Sequence, residues 1–179
     1  QCRFAHRLRR DHRRLIAFAR HARRRHRMNP ATAPRVRAAT MADAAWLAAC
    51  AIAMARETEA KALDPDTVRA GIETGLADAA KARYFVAMHD VHAGADTIGV
   101  PAGTLMLTRE WSDWRNGDWW WIQSVYVMPE FRRHGVFAAL YRHVEALARA
   151  TPGVIGSTAS AGMASNEVVS TCAVSPAMV

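Results

Sequence analysis

The chain has 179 residues, 51% of them apolar, which is one domain's worth with material for a sizeable core. No apolar run reaches membrane-spanning length and no signal-peptide hydrophobic segment appears. Cys2, Cys50 and Cys172 are scattered without metal spacing or an even disulfide framework, and the eight histidines form no ligand pattern. That usage excludes a disulfide scaffold, offers no metal site, and suits a reducing cytoplasm.

The net charge of +8 is unevenly placed. Residues 1–27 hold eleven arginines against the single Asp11, or +10, and the remainder is close to neutral at −2. Residues 1–34 therefore read as a basic arm or as a non-native extension upstream of Met28. An arm of this kind can attract nucleic acid or anionic lipid without sequence preference, and an Arg-rich targeting peptide is a third reading. Residues 35–156 read as the folded domain and 157–179 as an atypical tail.

In chain order, Arg35 to Ala39 is a short strand. Thr40 followed by Asp43 makes a capping box for a helix from about Met41 to Glu57, with Leu47, Ala51 and Met54 along one side. Asp64-Pro65 opens a second helix as N-cap and first-turn proline, over Val68, Ile72 and Leu76. Arg83 to Met88 is a strand, His89 to Asp96 a turn, and Ile98 to Thr108 a strand in which Pro101 implies a bulge or an edge. Glu110 to Gly117 is a loop ending in an Asn-Gly turn signal. Of the tryptophans beyond it, alternation places Trp119 and Trp121 on one face and Trp120 on the other, so one set is core. The other set, with Trp111 and Trp114, is an aromatic rim for a substrate or a contact in a homodimer.

The most informative stretch runs from Trp119 to Ala150. Trp119 to Val127 is aromatic and β-branched and stops at Met128-Pro129, as a strand does. From Val136 the period changes: Val136, Leu140, Val144 and Leu147 recur at helical spacing. Between them lie Arg132, Arg133, His134 and Gly135. The unpaired N–H groups of a helix start, its positive dipole end and a glycine that admits close approach make such a loop suited to a phosphate, and equally to a plain basic turn.

The segment V-Y-V-M-P-E-F-R-R-H-G-V-F-A-A-L-Y resembles the acetyl-CoA signature of the GNAT acetyltransferase superfamily, with Arg132, Gly135 and Phe137 at the three signature positions. Phe137 stands where glycine or alanine is usual. The order of elements from Val36 to Ile155 is similar too. The resemblance implies an α/β fold with a mixed, mostly antiparallel sheet flanked by helices, and acetyl-CoA as cosubstrate without a metal. It implies that Val125, Tyr126 and Val127 offer backbone to the pantetheine arm, and that Arg132, Arg133, His134, Gly135, Val136 and Phe137 hold the pyrophosphate. Glu57 or Glu59, between the first two helices, would border the acceptor pocket.

Catalytic groups are less defined. Where many members of the superfamily carry a glutamate on the central strand, this chain has Gln123-Ser124, so the base is a water held by Gln123 or a carboxylate such as Glu59, Glu110 or Asp113. No tyrosine follows Tyr141 to serve as the acid. After Gly156 the tail keeps no Lys or Arg, and the superfamily's last strands and helix are expected to be missing, through a shifted reading frame or a divergent ending. The implied activity is acetyl transfer to a primary amine of a small molecule or peptide. Transfer is direct, because Cys50 and Cys172 sit in no activating motif. The rival is a non-catalytic CoA-binding or nucleic-acid-associated protein that uses the basic arm.

Overall fold

The computed structural model describes residues 34–93 and 96–159. The three readings of residues 1–34, apart from Pro34, and the expected loss of the last strands and helix fall outside these residues. Strand β1 is Arg35–Ala38; helix α1, Ala44–Glu59, follows a 3-10 turn at Met41–Asp43; and helix α2 is Pro65–Ala77. Then come β2 (Arg83–Ala93), β3 (Asp96–Ser112), β4 (Gly117–Val127), helix α3 (Val136–Ala150) and β5 (Val154–Ala159). The sheet has five strands in the order β1-β2-β3-β4-β5, antiparallel except for the parallel pair β4–β5. This is the α/β arrangement that the order of elements implied.

The helix starts follow their sequence signals. Thr40 N–H donates to Asp43 Oδ2 at 2.7 Å, and Arg37 grips the same carboxylate through two bonds of 2.7 and 2.8 Å. Thr67 N–H donates to Asp64 Oδ1 at 2.8 Å, with Pro65 in the first turn, where a missing N–H costs nothing. On α3 three of the four stripe residues are buried, Val136, Leu140 and Val144 each being at most 1% exposed, and Leu147 is half-buried. Each of the three buried residues contributes roughly 1.5–3 kcal/mol by leaving water.

Two strands are longer than the sequence suggests. His89 to Asp96 was expected as a turn, but β2 runs to Ala93 and β3 starts at Asp96, with Val91 opposite Ile98 and His92 opposite Thr97. A main-chain ladder does not read side-chain polarity, and His92 Nδ1 lies 2.9 Å from Thr97 Oγ1 across the pair. Likewise β3 reaches Ser112, which confines the expected loop to residues 113–116, where Asn116 takes φ +45°. The fifth strand runs to Ala159, past the domain boundary expected at residue 156.

The sheet has helices on both faces. Tyr84 and Val86 of β2 meet α2 and α1, whereas Phe85, between them, turns to α3 and sets its ring 5.1 Å from that of His143. Trp120, 4% exposed, is the core member of the tryptophan set. Trp119 and Trp121 are half-buried on the opposite face, with Arg115 5.4 Å from the Trp119 ring, while Trp111 and Trp114 stand out at 62% and 93% exposure.

Three of the ladders are irregular, the β4–β5 pair because Asp118 faces Val154 and Trp119 faces Gly156. Ala87 faces Gly103 and Met88 faces Pro101, so Ala102 is an extra residue, which is the bulge that Pro101 announced. Leu107 faces Ile122 and Met106 faces Ser124, so Gln123 is extra in β4. Nothing in the local sequence announces the second bulge.

Candidate active site

The bulge at Gln123 changes which way the rest of β4 faces. Leu105 and Leu107 lie two apart and so on one face, and their partners Val125 and Ile122 share it although they are three apart. Tyr126 falls on the other face with Ser124 and Trp121, beneath α1. There its Oη donates to Glu57 Oε1 at 2.9 Å.

Past the bulge, β4 also loses a neighbour. It pairs with β5 only from Asp118 to Ile122, and among the described residues no strand pairs with it beyond Ile122 on that side. Opposed residues in an antiparallel ladder alternate between hydrogen-bonded and non-bonded pairs. Met128 N–H bonds Ala102 O at 2.9 Å, so Tyr126 and Thr104 form the next bonded pair, and Val125 and Val127 turn their main-chain groups to the open side. The Val127 carbonyl is already used: it accepts from Arg132 Nε at 3.0 Å. Among the described residues, what stays open is the N–H and carbonyl of Val125 and the N–H of Val127.

This edge leads through Met128-Pro129 into the basic loop. Arg133 takes φ +65° and Gly135 +76°, two left-handed residues that curl the main chain before α3. The first bond within α3 runs from Ala139 N–H to Gly135 O at 2.9 Å, so the N–H groups of Val136, Phe137 and Ala138 precede it and have no helical acceptor. A cavity of about 250 Å³ lies over them, lined by Val127, Phe131, Arg132, Arg133, Gly135, Val136, Phe137 and Ala138. A Cβ added at Gly135 would meet nothing within 4 Å, so the space there is open.

Of the nine residues expected to contact a cofactor, Val127, Arg132, Arg133, Gly135, Val136 and Phe137 line this cavity, and Val125 belongs to the open edge beside it. Tyr126 differs: its main chain faces β3 and its side chain faces α1. His134 differs too, since its ring lies 6.1 Å from that of His89, which is buried and 5.3 Å from Phe131. Burial pushes the His89 imidazole below its ordinary pKa, the nearby His134 adds to this, and Asp90 opposes it.

The four candidates for proton transfer are not gathered in one place. Gln123 is exposed at the bulge and donates from Nε2 to Thr108 Oγ1 at 3.2 Å. Glu59 pairs with Lys61 at 2.6 Å. Glu110 faces Trp119 across the β3–β4 ladder, and Asp113 accepts from Trp114 N–H at 2.8 Å in the turn at the far end of the hairpin. Sequence reasoning singled out Glu57 only as a pocket border. Its carboxylate accepts from Tyr126 and also from Arg132 Nη2 at 2.6 Å, and the guanidinium carbon of Arg132 stands 5.7 Å from the Tyr126 ring centre. A contact spanning 75 residues has no local signal. The Cys50 thiol is buried, and burial with the nearby Glu130 carboxylate drives its pKa far up, so it is no nucleophile.

A family model described as the acetyltransferase (GNAT) family matches residues 45–168. Among solved structures, a possible acetyltransferase from Clostridium difficile 630 is 32% identical, with a TM-score of 0.65 over 75% of this chain and 84% of that one. A probable acetyltransferase is 25% identical, with a TM-score of 0.56 over 70% and 78%. An integron cassette protein from the mobile metagenome of Cole Harbour Salt Marsh shares the fold at 20% identity, with a TM-score of 0.58 over 79% and 91%. No curated protein matches the sequence.

Proposed function

The chain belongs to the GNAT acetyltransferase family, and on that basis we propose that it moves an acetyl group from acetyl-CoA to a primary amine of a small molecule or peptide by direct transfer. One observation carries the reading. An unpaired strand edge at Val125 and Val127 runs without interruption into a helix start whose N–H groups, open glycine and arginines face one cavity.

The donor set fits a CoA ester. Free main-chain N–H groups at a helix N-terminus favour an anion, and Arg133, exposed beside them, adds charge that moves with its side chain. The Val125 N–H and carbonyl can bond an amide-bearing arm as a neighbouring strand would. Acetyl-CoA supplies an acyl group activated as a thioester. The main-chain N–H groups left free on β4 can donate to a carbonyl oxygen that gains negative charge.

The amine attacks only when neutral, so its proton must leave. Gln123 stands where β4 and β5 part. With its Nε2 given to Thr108, its Oε1 remains to hold a water that accepts that proton. The pair Glu57 and Tyr126 closes the α1 side of the same strand.

The test is a thermal-shift titration of the full chain with acetyl-CoA. A ligand that binds only the folded state at about a hundred times its dissociation constant adds roughly 2.7 kcal/mol, a rise of roughly 5–10 °C for a chain of this size. A saturable rise, followed by thiol release in the presence of a primary amine, supports the reading. A cooperative melt that acetyl-CoA leaves unmoved overturns it.

A further inference from the structure

We propose that Glu57 is a positioning residue for the cofactor loop: from the last turn of α1 it clamps Arg132, so that the loop is set before any phosphate arrives. The proposal rests on the acetyl-CoA reading and assigns a role that the loop's own sequence does not contain. Glu57 Oε2 accepts from Arg132 Nη2 at 2.6 Å, while Arg132 Nε donates to Val127 O at 3.0 Å. The guanidinium is therefore held at two points, one on α1 and one on β4. Glu57 is itself fixed, because its other oxygen takes the Tyr126 hydroxyl at 2.9 Å.

The arrangement answers a local need. Arg133 sits at φ +65°, a left-handed conformation that is unfavourable for a residue with a side chain. Strain of this kind persists only where the surroundings over-determine it. The neighbouring residue, Arg132, is hydrogen-bonded to both α1 and β4, outside the loop. An arginine has five N–H donors, and this clamp uses two, so the others remain for the cavity that Arg132 lines. Glu57 and Arg132 are about one-third exposed, with side chains at 34% and 35%, so the pair is reachable from solvent. If Glu57 merely competed with phosphate for the guanidinium, its removal would tighten binding. A clamp makes the opposite prediction.

The experiment is a double-mutant cycle on the full chain with Glu57→Gln, Arg132→Gln and the double variant, reading dissociation constants for CoA and for pantetheine, which lacks the pyrophosphate. Glu57→Gln should weaken CoA about fivefold and leave pantetheine unchanged. Groups in contact couple, so the double variant should lose little beyond Arg132→Gln alone. Unchanged or tighter CoA binding in Glu57→Gln, equal weakening of pantetheine, or additive losses would overturn the proposal. If Glu57→Gln does not fold, Tyr126→Phe, which removes only the bond to Oε1, should weaken CoA about twofold, and no change would count against the clamp. If the parent chain binds no CoA, the acetyl-CoA reading fails by itself. Melting temperatures of the same proteins then decide the clamp: coupled losses uphold the Glu57–Arg132 strut and additive ones remove it.

Discussion

Gly135 allows the loop to be tested with two substitutions that differ only in charge and reach. At φ +76° any side chain is strained, so Gly135→Ala should cost about 1 kcal/mol and lower the melting temperature by roughly 2–4 °C. The space around the added Cβ is open, so no clash adds to this cost. Gly135→Glu carries the same backbone strain and places a carboxylate at the cavity mouth. One like-charge pair at about 6 Å with an effective dielectric constant near 20 costs about 3 kcal/mol, more than a hundredfold in affinity. Calorimetric titration with acetyl-CoA should therefore show modestly weakened binding for the alanine variant and none for the glutamate variant, at similar melting temperatures. Equal affinity in the two variants would mean that the anion lies elsewhere, and the assignment of the loop would be wrong.

Two other perturbations probe the frame around the site. Because the folded state resists protonating His89, the unfolded chain binds more protons once the pH drops below the ordinary histidine value of 6.5. Stability from this source is present above that value and declines as the pH falls through and below it, so His89→Gln should give a flatter melting profile there. A Cβ at Gly156 would run into the Trp119 ring, which lies over it. Gly156→Ala should thus lower the melting temperature measurably, by roughly 1–3 kcal/mol of overpacking, and an unchanged melt would show that Trp119 can move aside.

What the sequence made legible was whatever a local signal encodes. The cap at Asp64, the stripe from Val136 to Val144 and the stop at Pro129 placed α2, α3 and the end of β4 because each depends on residues within one or two turns. Pro101 located the first bulge for the same reason, by lacking an N–H. The turn residues His89 to Asp96 misled, since cross-strand bonding carried β2 and β3 through polar positions. The Gln123 bulge and the Glu57–Arg132–Tyr126 cluster were not legible. The bulge is a property of how two strands register, and the cluster joins a helix end to a loop 75 residues away. The loop's place between a strand and a helix was legible, whereas the His134 ring lies beside His89 of β2, which no inspection of residues 132–135 could supply.

The extra residue in β4 also sets where this domain can change length. An insertion among residues 113–116 adds to an exposed turn and leaves both strands in register. Removing Gln123 would leave Ile122 opposite Leu107 and Ser124 opposite Met106, so the ladder would become regular and the residues up to Pro129 would keep their facing. The β3–β4 hairpin can therefore change length at either end, by insertion at the turn or by loss of the one unpaired residue at the bulge, the latter at the cost of the amide that Gln123 offers there.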